Sequence, residues 1–321
     1  MSPQQQMNVL VLYPERKPEE RIVFEERPVP VPEKGEVLVR VHAASIDGRD
    51  KRLFETPELN WRTKRRRSER GVITGYEFSG TVVSSSAHFS EGDAVFGYTP
   101  VDEGGVTHAE FIAVSELVIG HKPSMLTHVQ AATVPVGCMT AMRALQELAG
   151  LEEGQRILLS GATGGVGMYA VQVARMLGAE ITAQGRSWQR HELLRLGVNT
   201  FIEYTQEEIL HSESVFDVIF DVAGIWNLES MCPHLTSKGI YITTHPERDR
   251  LGIVSSYFTA KKSKLLSVPH GETAMLAKIA GLFSNDRLEP VVGSVSLFDN
   301  ALDEFMQRNK KIAGRRVLTI G

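Results

Sequence analysis

The chain has little cysteine: Cys138 and Cys232 are its only two in 321 residues. Two thiols build neither a disulfide scaffold nor a four-thiolate zinc site, so a reducing, cytoplasmic setting is expected. Long apolar runs are absent too. Stretches such as Val215 to Ile225 are short and carry Asp217 and Asp221, far from the roughly 20 residues a membrane helix needs. The opening Met1 to Met7 has neither a charged leader nor an apolar core, so no secretory signal is expected. Positive charge is not in excess. Lys+Arg 35 against Asp+Glu 39 gives a net charge of -4, which argues against a surface-wide attraction to nucleic acid or anionic membrane. Ten histidines are present but scattered, without metal-ligand spacing.

With 42% hydrophobic and 23% charged residues, the composition is that of an ordinary globular protein. Its length suits two domains. Residues 7 to about 120 read as short strands punctuated by Gly and Pro, among them Val37-Leu-Val-Arg-Val-His42, Gly80-Thr-Val-Val83 and Glu91-Gly-Asp-Ala-Val-Phe96. The pattern then changes. A helical stretch from Gln130 to Ala149 precedes the apolar strand Arg156-Ile-Leu-Leu-Ser160, a Gly-rich turn, a helix to Leu177 and a second strand, Glu180-Ile-Thr-Ala-Gln184. Strands and helices alternating in this way indicate a parallel sheet with crossover helices. Helices over Thr273 to Phe283 and Asp299 to Arg308 and a closing strand, Arg316 to Ile320, follow.

The most informative segment is Ser160-Gly-Ala-Thr-Gly-Gly-Val-Gly167, between a strand and an amphipathic helix. Gly164 and Gly167 fall where a dinucleotide fingerprint needs them, with Ala162 at the first glycine position. Small residues let the chain turn sharply and let a pyrophosphate approach the backbone, where helix N-terminal amides face it. The other reading is a plain surface turn. The end of the second strand, Gln184-Gly-Arg-Ser-Trp-Gln-Arg190, has no acid to hold ribose hydroxyls. Arg186, Ser187 and Arg190 would donate to a 2′-phosphate, so NADPH is the expected cofactor unless the arginines only solvate a helix start.

These residues, with Gly75-Tyr-Glu-Phe-Ser-Gly80, Gly92-Asp-Ala-Val-Phe-Gly97, Ala131-Ala-Thr-Val-Pro135, Asp217-Val-Ile-Phe-Asp-Val-Ala-Gly224 and Gly314-Arg-Arg-Val-Leu318, resemble the medium-chain dehydrogenase/reductase superfamily. Within it the chain is most similar to the zinc-free quinone oxidoreductases of the zeta-crystallin type. The resemblance implies an α/β protein: a GroES-like, β-rich catalytic domain over 1–123 and 268–321, and a doubly wound Rossmann domain over 124–267. It implies a homodimer, nicotinamide in the interdomain cleft, and a cofactor surrounded by Thr140, Ala162, Thr163, Gly164, Gly165, Val166, Tyr204, Val222, Ala223, Gly224, Thr243, His245 and Arg315. At the positions where zinc-dependent relatives hold ligands stand Asp47, Tyr76 with Glu77, and Val136. Asp47 and Glu77 alone do not make a tetrahedral site, so no metal is expected. The family lysine for the 2′-phosphate aligns with Gln189, which leaves that task to Arg186 and Arg190.

Without a Lewis acid, hydride acceptors that delocalise charge are favoured: quinones and α,β-unsaturated carbonyls, whose enolate needs only hydrogen-bond donors and a proton. Asp47, Arg52 and Tyr76 are the candidate catalytic residues, with Tyr257 more remote. Structural roles compete: Tyr76 as core packing and Arg52 in a surface salt bridge with Glu55. The basic loop Trp61 to Arg70 is either a solvated loop or a site for an anionic group such as a CoA or carrier-protein phosphate. The alternative function is an NADPH-binding sensor or structural protein with little catalysis. Cys138 reads as a small buried apolar residue.

Overall fold

The computed structural model describes residues 5–13, 15–55, 71–100, 105–203, 215–256, 258–266, 272–306 and 311–321. The chain divides into two compact units, Met1–Val136 with Pro269–Gly321, and Gly137–Val268.

The first unit begins with β1 (Gln6–Leu12), β2 (Ile22–Pro28), β3 (Glu36–Ile46), α1 (Gly48–Glu55), β4 (Val72–Ile73), β5 (Glu77–Val82), β6 (Ala94–Tyr98), β7 (Phe111–Ser115), β8 (Ile119–His121) and α2 (His128–Ala131). β1 lies between β2 and β4 in a three-stranded sheet. In β3 the alternation expected of Val37 to His42 is realised: Val37, Val39 and Val41 are buried while Arg40 is exposed. Strand pairing on both sides of β3 builds a larger sheet around it.

The second unit begins within a helix, α3 (Pro135–Met142), and continues with β9 (Arg156–Ser160), α4 (Gly165–Met176), β10 (Glu180–Gly185), α5 (Arg190–Leu196), β11 (Thr200–Glu203), β12 (Phe216–Asp221), α6 (Leu228–Met231), β13 (Leu235–Thr243), α7 (Arg250–Ser255) and β14 (Lys262–Leu265). Its six strands lie in the order β11-β10-β9-β12-β13-β14 and all pair parallel. This is the doubly wound arrangement, with the order reversing beside β9. Central strands of such a sheet are covered on both faces, which is why Ile157 to Ser160 is a continuous buried run rather than an alternating one. Leu158, Phe216, Ile219, Leu228, Met231, Leu235 and Tyr241 form one core cluster of this unit, each large side chain contributing about 1.5–3 kcal/mol by leaving water.

The chain then returns to the first unit with α8 (Thr273–Ser284), β15 (Val292–Leu297), α9 (Ala301–Met306) and β16 (Arg315–Thr319). β16 sits between β15 and β3, completing the order β15-β16-β3-β5-β6-β8 with β7 beside β3. The expected division at 123/124 falls instead at 136/137. The reason is α2: it is capped by a reciprocal Thr127–Gln130 box, and Ala132 after it packs with Ala43 and Val317 of the first unit's sheet. Among the described residues no helix is long and apolar enough to cross a membrane.

Candidate active site

The phosphate-type turn lies at the C-terminal end of β9, beside the reversal in strand order. α4 starts at Gly165 with Gly164 as its N-cap and no side-chain cap hydrogen bond, so its first amides are not taken by a capping side chain. Gly167 packs against the turn so closely that a Cβ there would lie 2.1 Å from the Gly161 carbonyl oxygen. That contact explains why the third glycine position tolerates no side chain. Ala162 is fully buried, and Thr163, Gly165 and Val166 are partly exposed. Gly137 of α3 meets the start of α4, where a Cβ would be 2.8 Å from the Gly165 carbonyl oxygen. Thr140, one turn further along α3, is buried.

Asp221, at the end of β12, organises the neighbouring loop. Its Oδ1 accepts from Ser160 Oγ, from Gly224 N–H at 2.9 Å and from Ile225 N–H at 3.2 Å. Its Oδ2 accepts from Trp226 N–H at 2.9 Å and from the Tyr241 hydroxyl at 2.9 Å. Ser160 Oγ in turn accepts from Ala223 N–H at 3.1 Å. Burial and the Asp221 charge hold the Tyr241 hydroxyl well above its usual range, so it remains a donor. Thr243 Oγ1 donates to the Asp221 carbonyl at 3.1 Å, Thr244 Oγ1 to the Val222 carbonyl at 2.9 Å, and His245 N–H to Thr243 Oγ1 at 3.0 Å. Gly224 has φ +64°, and a Cβ there would lie 2.3 Å from the His245 ring. Ala162 to Val166, Val222 to Gly224, Thr243 and His245 thus lie at the C-terminal ends of β9, β12 and β13, which are neighbours in the sheet. Asp221 and Ser160 were missed as organisers; an acid ending an apolar strand before Val-Ala-Gly was the available signal.

At the end of β10, Arg186, Ser187 and Arg190 are exposed. Arg186 N–H donates to Gln189 Oε1 at 3.0 Å, and the Arg190 guanidinium lies 5.7 Å from the Phe201 ring centroid. The expectation of no acid at this edge is incomplete: Ser187 donates its hydroxyl to Glu203 Oε1 of β11. Among the described residues the buried Gln184 Oε1 has no hydrogen-bond partner. A glycine cradle, helix amides without a capping side chain and an unpartnered buried acceptor fit a nucleotide. Tyr204 lies outside the described residues, as do Tyr257 and the basic loop 61–70.

In the first unit the structure places Asp47 as the cap of α1. Its Oδ1 accepts from Arg49 N–H at 2.7 Å and Asp50 N–H at 3.1 Å, while Asp50 Oδ2 accepts from Asp47 N–H at 3.0 Å. This is the reciprocal pattern of a capping box. Asp47 Oδ2 meets Arg49 Nε at 2.6 Å and Arg49 Nη2 at 2.5 Å, with Arg315 Nη1 at 3.9 Å. Burial works against the Asp47 charge, and the Arg49 and Arg315 guanidinium groups outweigh it, holding the carboxyl at about 2. Asp50 is pushed the other way, to about 8, by burial and then by the Asp47 charge.

Tyr76 is 2% exposed. The Arg49 guanidinium carbon is 4.4 Å from its ring centroid, and burial, then the Asp50 charge, raises its hydroxyl above the usual phenol range. Arg52 is exposed on α1. The arginine gathered with Asp47 and Tyr76 is therefore Arg49. Arg315 Nη2 pairs with Glu77 Oε2 at 3.0 Å. Glu77 also accepts from Ser45 Oγ at 2.9 Å and from Val136 N–H at 2.7 Å, and burial raises its carboxyl despite Arg315. Cys138 is buried and unpaired, its thiol pushed up by burial, as expected of an apolar filler.

Residues 33–178 match the alcohol dehydrogenase GroES-like domain. The chain is similar to the mitochondrial NAD(P)H oxidoreductase RTN4IP1 of Homo sapiens, 35% identical over 68% of this chain and 61% of that protein. The mouse counterpart is 35% identical over 59% of this chain and 52% of its own length, so the match spans little more than half of these relatives. The 2-methylene-furan-3-one reductase of Solanum lycopersicum is 28% identical over 86% of this chain and 69% of its own. In fold, the chain matches the quinone oxidoreductase of Coxiella burnetii with a TM-score of 0.86 at 22% identity, over 99% of this chain and 100% of that one. With its GroES-like domain and doubly wound parallel sheet, the chain is similar to the NAD(P)H oxidoreductases of the medium-chain dehydrogenase/reductase superfamily.

Proposed function

We propose that the chain is a zinc-independent, NADPH-dependent oxidoreductase that passes hydride to a quinone or an α,β-unsaturated carbonyl. The observation that carries the reading is the glycine turn at the end of β9, with Gly167 pressed against Gly161 and the α4 amides free of a capping side chain. Ala162 to Val166 would hold the pyrophosphate, the loop fixed by Asp221 would support the cofactor's other half, and Arg186 and Arg190 would pair with a 2′-phosphate. The nicotinamide group supplies the hydride when bound.

Supporting a mechanism without zinc, the acids at the ligand positions of zinc-dependent relatives are committed elsewhere: Asp47 to the α1 cap and Arg49, Glu77 to Arg315. The substrate class draws support from its relatives, among them the tomato 2-methylene-furan-3-one reductase and an NADPH-dependent alkenal/one oxidoreductase of Arabidopsis thaliana. In this reading Arg49 and Tyr76 stabilise the enolate, and the Tyr76 hydroxyl, held protonated by burial, is the proton donor. Asp47 positions Arg49 rather than touching substrate. Arg315 acts through Glu77, as a positioning residue. We place the protein in a reducing compartment, in keeping with its two unpaired cysteines.

Steady-state NADPH oxidation against a panel of quinones and enones, with and without EDTA, tests the proposal. Turnover that survives chelation is expected. Tight NADPH binding with no turnover on any acceptor would favour instead a sensor or structural role, a reading that the complete commitment of Asp47 supports. A homodimer is proposed as well: Leu251, Val254 and Phe258 of the second unit are 82%, 59% and 87% exposed, a surface that suits self-association. Sedimentation at micromolar concentration should show twice the chain mass.

A further inference from the structure

We propose that Glu203 sets the balance between NADPH and NADH, by presenting a carboxylate to the cofactor edge that the arginines alone would make selective for a 2′-phosphate. The inference rests on the nucleotide reading above and deepens it. Parallel pairing of β10 with β11 places Glu203 opposite Gly185, so the acid ends its strand beside the turn that carries Arg186 and Ser187. Ser187 confirms the proximity by donating its hydroxyl to Glu203 Oε1. Phe201 and Glu203 share one face of β11 by strand alternation, and Arg190 lies over Phe201. One sheet edge therefore carries two guanidinium groups and one carboxylate.

These groups pull in opposite directions. A carboxylate accepts hydrogen bonds from ribose hydroxyls, as the acid after the second strand does in NAD-binding sheets. Against a 2′-phosphate the same carboxylate is a like charge, whereas Arg186 and Arg190 attract it. The Ser187 hydroxyl has a single proton and cannot serve Glu203 and a phosphate oxygen together. Glu203 here comes from the third strand of the sheet rather than the second, so it occupies the same edge from the neighbouring position. NADPH remains the preferred cofactor, by a margin that Glu203 narrows.

Calorimetric binding of NADPH and NADH to the native chain and to Glu203→Gln tests this, with 2′,5′-ADP as a probe of the phosphate edge without nicotinamide. The substitution removes charge from an accessible side chain and keeps its shape. The NADPH-to-NADH affinity ratio is expected to rise about tenfold, with 2′,5′-ADP tightening in parallel. Binding of both cofactors with a ratio changed less than twofold overturns the role of Glu203 alone. Failure of the native chain to bind any of the three ligands overturns the nucleotide reading and this inference with it.

Discussion

Arg315 Nη2 lies 3.0 Å from Glu77 Oε2, with the two side chains 6% and 0% exposed. A buried pair of this kind adds little over an apolar pair, yet leaving one partner alone is severe. Arg315→Met should therefore destabilise the protein by about 3–5 kcal/mol, since Glu77 would keep its charge without a counterion or take up a proton. The double variant Arg315→Met/Glu77→Gln should recover part of that loss. Urea unfolding of the native chain, the single variants Arg315→Met and Glu77→Gln, and the double variant checks the coupling; additive losses would show that the pair is not a unit.

Asp221 accepts five hydrogen bonds that tie β9, β13 and the 222–226 loop together. Asp221→Ala leaves several buried donors unpaired at about 1–3 kcal/mol each. We expect a loss of at least that size in stability and a weakening of nucleotide binding greater than tenfold. Thermal unfolding with and without NADPH separates the two effects.

Gly167→Ala places a methyl group 2.1 Å from a backbone oxygen and 2.6 Å from Ala162 Cα. Neither neighbour is a flexible side chain, so the turn or the helix start must shift. A cost of about 1–3 kcal/mol is expected, together with loss of pyrophosphate binding. Gly48→Ala, where a Cβ meets nothing within 4 Å, is the control and should leave nucleotide affinity unchanged.

Arg186→Ala should weaken NADPH far more than NADH, by about tenfold against less than twofold, because the neutral ribose gives a guanidinium little to pair with. Equal losses would count against the assignment of the 2′-phosphate. Competition with 2′,5′-ADP gives a second reading of the same interaction.

His108 is fully buried, its ring meeting the Ser45 carbonyl at 3.1 Å and Thr74 Oγ1 at 2.7 Å. A carbonyl only accepts, so Nε2 carries the proton and Nδ1 is the acceptor. Burial lowers the imidazole from 6.5 to about 4. The unfolded chain therefore binds a proton that the folded one refuses, and the stability present above pH 6.5 is lost as pH falls through about 4. His108→Gln, which keeps a donor for Ser45, should flatten the fall of Tm between pH 6.5 and 4. A slope equal to that of the native chain would assign the acid sensitivity elsewhere.

Much of the architecture was legible locally. Ser160 to Gly167 announced the turn because glycine is required where backbone meets backbone, and the buried run before it marked a central parallel strand. Arg49 was not legible in the same way. Arg49 and Arg52 are equivalent in composition, and only the capping of α1 by Asp47 decides that the guanidinium folded back beside Tyr76 is that of Arg49. Glu203 was hidden for a related reason: sixteen residues separate it from Ser187, and only the register of β11 on β10 brings them together. Division at 136 rather than 123 depended likewise on the packing of α2, which no local pattern reports.

The last consequence concerns synthesis. β16, the last strand in chain order, is wedged between β15 and β3, so the first unit cannot close its sheet until residues 315–319 have emerged from the ribosome. Every strand of the second unit is available well before that. Assembly on the ribosome should therefore run out of order, with the nucleotide-type sheet folding while Ala43 to Ile46 of β3, the stretch that β7 does not cover, wait unpaired on that side. An open edge strand is where misfolding starts, so chains truncated before Arg315 should aggregate more readily than chains that carry residues 315–319.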